Sequence, residues 1–353
     1  MITTQNIIDN PIDTMSCIGY APEDCLFFDI ETTGFAVNST HVYLIGCVFF
    51  RDNVWNSIQW FAQSHGEEQD VLDTFFHFMR SYKVLIHFNG DGFDIPYLQK
   101  KAELFHQTPG FDALISLDIF KAAASFKKFL KLENYKQKTI ETFLGIERED
   151  KYSGGELINI YASYLRTKDE DALGLLLLHN AEDIRGMTAL LPMFAYMRIR
   201  NGEFTLDSIV NTKEEIIFSC TLQQAVPKRV SLGYKEFYIT AYNQTLKIRI
   251  KIYSNELKFF YSNYSDYYYL PKEDVAMHKS VAFYVDKNYR TRAKAANCYS
   301  KKTGMFVPQF SEIVPTYFKI DYHDKTMYIE LTDEFLNDNA LIHRYLLDII
   351  RAV

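Results

Sequence analysis

The eight residues 27–34, Phe-Phe-Asp-Ile-Glu-Thr-Thr-Gly, constrain the fold more than any other part of the sequence. An apolar run reaches Asp29, skips one residue to Glu31, and then ends at Thr-Thr-Gly. In a strand, residues two apart point to the same face, so both carboxylates would stand together at the end of a buried strand. Neighbouring carboxylates repel each other, and a hard divalent cation relieves that repulsion because it prefers oxygen ligands. The stretch therefore predicts half of a metal site.

The length and the charge distribution indicate two domains of different character. The chain has 353 residues, of which 48% are hydrophobic, and this is ample for packed cores. The formal net charge is −7, but residues 1–200 hold 18 Lys and Arg against 27 Asp and Glu. Residues 221–310 hold 15 against 6, a net charge of +9. An acidic part with a predicted metal site is thus followed by a basic part that is rich in tyrosine.

The cysteine pattern and the lack of long apolar runs bear on location. The five cysteines are odd in number and scattered, with no Cys-x-x-Cys, which argues against a disulfide framework and against a zinc site. Reduced thiols are typical of the cytoplasm. The first residues lack the basic segment and apolar core of a signal peptide, and no run approaches the roughly 18 apolar residues of a membrane span. We expect a cytoplasmic protein with no membrane partner and no disulfide partner.

The order of elements in the first part predicts a mixed sheet flanked by helices. The polar residues 1–22 predict a loosely ordered lead-in. Alternating or continuous apolar runs predict strands, and apolar residues at helical spacing predict helices. The strands are expected at 25–30, 41–50, 54–61, 84–88 and 115–119, and the helices at 67–82, 93–105, 136–144 and 154–165. Residues 169–179 and 181–198 form either two helices or one bent helix.

Two more carboxylates stand where strand ends and helices meet. Asn89-Gly-Asp-Gly is a turn, and Asp94 begins the helix that follows it. Because Asp is favoured at helix starts, capping explains Asp94 as well as a metal site does. Farther along, His179 and Asp183 are four residues apart and share one face of a helix. Taken alone, such residues are more often surface or structural groups.

Together these three signals resemble the motifs of the DEDD superfamily of 3′–5′ exonucleases, which have a ribonuclease-H-like fold. The motifs are Asp-x-Glu on a first strand, Asn-x-x-x-Phe-Asp before a helix, and an Asp late in a helix. More narrowly, residues 23–197 are similar to a bacterial group of ribonuclease-H-like exonucleases, and the stretch Ser-Leu-Asp-Ile-Phe at 116–120 adds to that likeness. Residues 205–353 resemble no family. The resemblance implies an α/β ribonuclease-H-like domain at 23–204. The strand patterns beyond it predict a second, α+β and mainly β domain at 205–353.

The resemblance also implies a metal site and a role for each acidic residue. Asp29, Glu31, Asp94 and Asp183 would hold two Mg²⁺ or Mn²⁺ ions. Asp29 would bridge the ions, Glu31 and Asp183 would hold the ion that generates the nucleophile, and Asp94 would support the second ion. Two such ions about 3.5–4 Å apart activate a water and relieve charge on the leaving oxygen of a phosphodiester.

The residue at position 179 departs from both branches of that superfamily. One branch has Tyr four residues before the last Asp, and the other has His five residues before it. Here His179 lies four residues before Asp183. Either His179 positions or deprotonates the attacking water, since imidazole titrates near neutrality, or it is a structural residue.

Four residues near the motifs are candidates for substrate binding. Thr32 and Thr33 would let backbone amides approach the scissile phosphate or the 3′ end, although a plain turn also explains them. Asn89 would hold its turn or approach the substrate. Phe93 would pack beneath the site or stack on a terminal base.

The C-terminal part interleaves positive charges with tyrosines, and Lys287, Arg290 and Arg292 are its candidates for substrate binding. A cationic groove with rings on which bases stack is typical of proteins that bind single-stranded nucleic acid. The other interpretation is a sheet with a solvated cationic face and a tyrosine-rich core. Strands are expected at 237–241, 245–253, 257–261, 281–285 and 326–331, with a closing helix at 333–350.

The leading functional hypothesis is a metal-dependent 3′–5′ exonuclease acting on single-stranded or terminal DNA or RNA. One alternative is a structure-specific endonuclease on the same fold. Another is a nucleic-acid-binding or protein-binding module with little or no catalysis. The presence of all four carboxylates favours catalysis over the binding module.

Overall fold

The computed structural model describes residues 1–8, 12–149, 152 and 154–353. Over these ranges the chain divides into two compact units, Met1–Met197 and Arg198–Val353. All five cysteines lie within the described ranges, and none of them forms a disulfide. No described helix combines the length and the apolar character that crossing a bilayer requires.

The first unit is built on a six-stranded mixed sheet with the strand order β1-β4-β3-β2-β5-β6. Antiparallel pairing joins β1, β4, β3 and β2, and parallel pairing joins β2, β5 and β6. The strands are β1 (Ile2–Ile8), β2 (Cys25–Thr32), β3 (Val42–Arg51), β4 (Val54–Phe61), β5 (Val84–His87) and β6 (Ile115–Asp118). The structure thus confirms the predicted mixed sheet.

Eight helices are described for the first unit, the last of which reaches past its boundary. They are α1 (Glu68–Met79), α2 (Asp94–Leu104), α3 (Ile119–Ala124), α4 (Lys127–Leu130), α5 (Gln137–Leu144), α6 (Gly154–Thr167), α7 (Glu170–Leu190) and α8 (Phe194–Asn201). The open question about residues 169–198 is resolved, because one continuous helix runs to Leu190 and Pro192 then interrupts it. Proline ends a helix since it lacks an N–H and its ring clashes with the preceding turn.

Both faces of the sheet are covered, which explains the uninterrupted apolar run of β3. On one face, Ile45 and Phe28 pack in a core with Leu72 and Phe75 of α1. On the other face, Leu44 packs in a core with α6 and α7. Because successive strand residues point to opposite faces, every position of a central strand in such a sheet is buried.

Residues 2–8 show that the prediction of a loosely ordered lead-in was wrong. They form β1, which pairs antiparallel with β4 from Ile2 opposite Phe61 to Ile8 opposite Trp55. Most β1 side chains are exposed or half-buried, so backbone hydrogen bonds hold the strand and hydrophobic burial contributes little. An edge strand of this kind lacks the apolar pattern that reveals a central strand.

The second unit is mainly β with a C-terminal helix, as predicted. Its three sheets have three strands each, in the orders β7-β8-β9, β10-β14-β15 and β12-β11-β13. The strands are β7 (Phe204–Asn211), β8 (Glu215–Tyr234), β9 (Phe237–Lys251), β10 (Tyr253–Phe260), β11 (Tyr267–Leu270), β12 (Val275–His278), β13 (Thr291–Arg292), β14 (Tyr299–Gln309) and β15 (Met327–Glu330). The helices are α9 (Lys279–Ala282), α10 (Asp333–Asn337) and α11 (Asn339–Ala352).

Two details of the second unit differ from the sequence prediction. The strand expected at 281–285 is wrong, because Lys279–Ala282 is a short helix whose start is capped by the His278 side chain. Its apolar neighbours Phe283 and Tyr284 are exposed, so the apolar run that suggested a strand is a surface feature. The expected helix at 333–350 is two helices, and the side chain of Asp338 caps the second one.

A buried ion pair fixes the loop that follows β2. Glu68 of α1 lies 2.9 Å from Lys101 Nζ of α2, and both side chains are nearly inaccessible to solvent. The Glu68 carboxylate also accepts a hydrogen bond from the Val42 amide at 2.8 Å and contacts His41 Nδ1 at 2.9 Å. Lys101 Nζ donates to the Thr40 carbonyl. The residues just before β3 are therefore tied to both helices.

Replacing Lys101 by Met should lower the free energy of unfolding by about 3–5 kcal/mol, because the buried Glu68 carboxylate loses the lysine cation that compensates its charge. Both tryptophans of the chain, Trp55 and Trp60, lie on β4, so tryptophan fluorescence during urea unfolding monitors the first unit alone. Lys100→Met, at an exposed neighbouring position, should change the stability little. A Lys101→Met protein as stable as the Lys100→Met protein would contradict this interpretation of the pair.

Candidate active site

The four predicted carboxylates converge at the C-terminal end of β2. Asp29 and Glu31 project from one face of that strand, with Asp29 paired to Gly46 of β3. Asp94 is the first residue of α2, and Asp183 lies in α7. The charges of Asp94 and Asp183 act on both Asp29 and Glu31, so the structure brings together all four side chains.

Asp94 joins the start of α2 to β2. Its carboxylate is buried, and its own backbone amide and that of Ile30, the residue between Asp29 and Glu31, act to lower its pKa. The residue that precedes the helix is Phe93, which makes no side-chain cap. Asp94 is therefore the first residue of α2 and not its cap, and its role as a metal ligand stays a prediction.

Burial and mutual repulsion raise the pKa of three of the carboxyl groups. Burial, followed by the charges of the other three acids, raises the pKa of Asp29 well above its usual value. Burial raises the pKa of Asp94 to about 7 and that of Glu31 to about 7, although His179 opposes the shift of Glu31. Burial also acts to raise the pKa of Asp183, but the His179 hydrogen bond and the Arg148 charge outweigh it and lower that pKa. A bound cation would relieve the remaining repulsion.

His179 lies between two of these acids. Its Nε2 is 3.1 Å from Asp183 Oδ2, one helical turn away, and 3.5 Å from Glu31 Oε1. The three residues each offer a ligand atom, and these atoms lie within 4.8 Å of one another. Two carboxylates and an imidazole at this separation fit a divalent ion, and Asp29 and Asp94 extend the cluster with further oxygen donors.

Asn180 is a site residue that the sequence analysis missed. It is fully buried, and its Nδ2 donates to Asp29 Oδ2 at 3.0 Å, while its Oδ1 accepts from Gln59 Nε2 at 2.9 Å. A Cβ atom at Gly46 would lie 1.9 Å from Asn180 Oδ1, so only glycine leaves room for this amide. The available signals were a glycine and a buried glutamine within apolar strands, but neither indicates a partner by itself.

Tyr43 and Arg148 complete the polar contacts of the cluster and were also missed. Tyr43 donates its hydroxyl to Glu31 Oε2 at 3.4 Å, and its ring stacks on Tyr161 with centroids 4.1 Å apart. Arg148 Nη1 donates to Asp183 Oδ1 at 2.5 Å. Hydrogen bonds from groups of this kind orient a ligating carboxylate and set its basicity.

The two candidate threonines form the turn that follows β2. Thr32 Oγ1 donates to the Gly34 carbonyl at 3.0 Å, and Thr33 Oγ1 accepts from the His41 amide at 2.8 Å. Both hydroxyls thus have partners within the loop, in agreement with the turn interpretation. Contact of their backbone with a substrate stays a prediction.

Asn89 and Phe93 also have structural partners. Asn89 adopts a left-handed backbone conformation with φ of 62°, and its amide donates to Asp118 Oδ1 at 2.9 Å. Phe93 packs against the core and meets the exposed ring of Phe35 edge-on, with centroids 5.6 Å apart. Asn89 therefore holds its turn and Phe93 packs beneath the loop, while their contact with a substrate stays a prediction.

The three candidate cations of the second unit differ in their surroundings. Lys287 and Arg292 are exposed. Arg290 donates to the Ala282 carbonyl, and its guanidinium lies 4.9 Å from the ring centroid of Tyr268. Arg290 therefore has a role within the fold, whereas Lys287 and Arg292 face solvent.

Comparison with known proteins identifies the fold of the first unit. Residues 26–194 match the family model RNase_H_2, described as RNase_H superfamily. This match confirms the ribonuclease-H-like fold that the motifs predicted. A search of curated proteins finds no match.

Several solved structures share parts of this architecture at low sequence identity. One is the family B DNA polymerase from the hyperthermophilic archaeon Pyrobaculum calidifontis, with 13% identity, a TM-score of 0.40, and coverage of 70% of this chain and 36% of that one. Another is Exonuclease I in its apo form, with 10% identity, a TM-score of 0.34 and coverage of 55% of each chain. The zinc-bound complex of E. coli ExoI with ssDNA has 12% identity, a TM-score of 0.31 and coverage of 61% and 54%. The chain thus spans between about a third and just over half of the length of these structures.

Replacing Gly46 by Ala should lower the free energy of unfolding by about 1–3 kcal/mol, because the new methyl group displaces Asn180 from Asp29 and Gln59. The matched control is Gly174→Ala on the same helix as Asn180, where nothing lies within 4 Å of an added Cβ. That change should stabilise the protein by about 0.5–1 kcal/mol, since alanine is the better helix former. Urea unfolding followed by tryptophan fluorescence measures both, and equal stability of the Gly46→Ala and wild-type proteins would contradict the close approach.

Proposed function

We propose that this chain is a metal-dependent nuclease that removes nucleotides from the 3′ end of nucleic acid with two divalent ions. The observation that carries the proposal is the convergence of Asp29, Glu31, Asp94 and Asp183 at the end of one strand, where Asp94 is buried and the other three are partly buried. The ribonuclease H superfamily match supports a nuclease, which is a hydrolase of phosphodiester bonds. The order of the three motifs supports a 3′–5′ exonuclease.

The donor set suits Mg²⁺ or Mn²⁺, which favour carboxylate oxygens. Asp29 would be shared by both ions, Glu31 and Asp183 would hold one, and Asp94 would hold the other. When bound, the ions would supply an activated water and stabilise the leaving oxygen. Asn180 and its partner Gln59 keep Asp29 turned toward the cluster through the hydrogen bond to Oδ2.

His179 is proposed to handle the proton of the attacking water. Its Nε2 faces both Glu31 and Asp183, so it lies beside the two acids assigned to the ion that prepares the nucleophile. In this structure the ring is hydrogen-bonded to Asp183 at 3.1 Å. Nε2 can accept a proton from the water only in the tautomer that leaves this nitrogen unprotonated, so the imidazole has to give up its hydrogen bond to Asp183 first.

The second unit is proposed to bind the strand upstream of the end that is cut. Phe283 is 74% exposed and Tyr284 is 87% exposed, and such rings are surfaces on which bases stack. In the same unit a cation contacts an aromatic ring, since Lys272 Nζ lies 4.1 Å from the ring centroid of Tyr289. A cleft of about 790 Å³ in the same unit has a lining rich in aromatic side chains, among them Tyr264 and Tyr322.

Purified protein should shorten 5′-labelled single-stranded oligonucleotides one nucleotide at a time with Mn²⁺ and leave them intact with EDTA. Running DNA and RNA oligonucleotides of one sequence in parallel reveals which the enzyme prefers. Asp29→Asn should lower turnover by more than the roughly 10–100-fold typical of changes around a metal ligand, because it removes the ligand itself. Asp24→Asn is the matched control, since Asp24 pairs with Lys83 at the other end of β2.

Three outcomes separate the alternatives in this assay. Cleavage of circular single-stranded DNA would overturn the exonuclease proposal and favour an endonuclease on the same fold. Lack of any metal-dependent cleavage of either polymer would favour the binding module. His179→Ala with undiminished turnover in Mn²⁺ would exclude the proton-handling role.

Changing both Lys287 and Arg292 to Gln should weaken binding of single-stranded DNA and flatten its dependence on salt. Each phosphate that is no longer neutralised should reduce the slope of log K against log salt concentration by about 0.7. Binding is measured by fluorescence anisotropy in an Asp29→Asn background, which prevents degradation. Lys213→Gln, at an exposed position in the β7–β8 turn, is the control and should leave the slope unchanged. Identical slopes for all three proteins would contradict the proposed role of these two cations.

A further inference from the structure

Arg148 contacts the candidate metal site from a segment that no motif includes. Its Nη1 donates to Asp183 Oδ1 at 2.5 Å. Its Nε and Nη2 donate to the two carboxylate oxygens of Glu141, with Nη2 2.6 Å from Oε1. Only 9% of the Arg148 side chain and 1% of the Glu141 side chain are exposed. The buried Glu141 thus binds two nitrogens of the guanidinium, and the third nitrogen, Nη1, faces Asp183.

The neighbouring residues are arranged around this contact. Gln137, one turn before Glu141 on α5, donates to Glu141 Oε1 at 2.9 Å and to the main-chain carbonyl of Asp183 at 2.8 Å. A Cβ atom at Gly186 of α7 would lie 2.1 Å from Glu141 Oε1, so the glutamate reaches α7 only because that position is glycine. Gln137 and Arg148 therefore both contact Asp183, and Glu141 binds each of these two side chains.

The two oxygens of Asp183 have different partners. Oδ2 lies 3.1 Å from His179 Nε2, which in turn faces Glu31, while Oδ1 is the oxygen that Arg148 holds. Arg148 therefore binds the oxygen of Asp183 that His179 does not contact. The guanidinium is a rigid planar fork, so once Glu141 fixes two of its nitrogens the direction of the third N–H is fixed as well.

We propose that Arg148, anchored by Glu141, is a positioning residue that keeps Asp183 Oδ2 turned toward the metal site. The inference rests on the proposed function, because it takes Asp183 as a metal ligand. A hydrogen bond to the outer oxygen of a ligating carboxylate orders that ligand before the metal arrives. Simple electrostatics predicts the opposite effect, since a positive charge beside a carboxylate repels a divalent ion. The sign of the change on removing Arg148 therefore distinguishes positioning from charge alone.

The test is Mn²⁺ binding to the substrate-free protein, measured by isothermal titration calorimetry. Arg148→Gln should bind Mn²⁺ about 10–100-fold more weakly than the wild type, as is typical when an outer partner of a metal ligand is removed. Arg148→Lys keeps the charge without the fork and should also bind more weakly, by a smaller factor. The matched control is Arg249→Gln, since Arg249 makes the same two-pronged contact with Glu215 on the exposed surface of the second unit. It should leave Mn²⁺ affinity unchanged.

A second variant keeps the test informative if the single variant fails to fold. Arg148→Gln leaves Glu141 buried without its partner, whereas the double change Glu141→Gln and Arg148→Gln removes both charges. Circular dichroism and tryptophan fluorescence in EDTA establish that each protein is folded. Weaker Mn²⁺ binding in the single variant supports positioning if that variant is folded. If it is not folded, the same result in the double variant supports it. Unchanged or tighter binding, with the wild type binding normally, overturns it while leaving the metal site intact. Failure of the wild type to bind Mn²⁺ overturns the metal site itself and the inference with it.

Discussion

Repulsion among four carboxylates that are largely withdrawn from solvent is the constraint on which the rest of the first unit depends. Three of the acids have side-chain donors: Asn180 for Asp29, Tyr43 for Glu31, and His179 and Arg148 for the two oxygens of Asp183. These hydrogen bonds offset part of the cost of burying charge, but only Arg148 brings a permanent positive charge. The cluster therefore retains a deficit of positive charge, which is the condition under which carboxylates take up divalent ions.

The sequence was most informative where one local pattern determines both structure and position. Asp29 and Glu31 lie at the end of a buried strand, Asp94 follows a turn, and Asp183 lies on a long helix, so their chain order and element types could be predicted before the structure. Asn180 and Arg148 could not, because an amide or a guanidinium gives no local sign of a partner tens of residues away. The same reasoning explains the missed edge strand β1, whose stability comes from backbone pairing that leaves no hydrophobic pattern.

In the second unit, the sequence was a better guide to fold class than to individual residues. Its strand patterns predicted a mainly β unit, yet Arg290, a candidate for substrate binding, uses its guanidinium on a carbonyl and on the Tyr268 ring. Apolar residues misled where they are exposed, since Phe283 and Tyr284 follow a short helix where a strand was expected. Large rings on a surface and large rings in a core give the same letters in the sequence, and only tertiary packing separates them.

The two glycines at which Asn180 and Glu141 approach another element have a consequence for how the first unit assembles. Gly46 on β3 receives a side chain from α7, and Gly186 on α7 receives one from α5. A slip of α7 by one residue would turn it by about 100° and shift it by about 1.5 Å. Other side chains would then stand where the two glycines now leave space for Asn180 and Glu141. The two glycines thus permit only one register of this helix. Since α7 also carries His179 and Asp183, correct docking of the helix and assembly of the candidate site are one event. A molecule with α7 out of register would lack both.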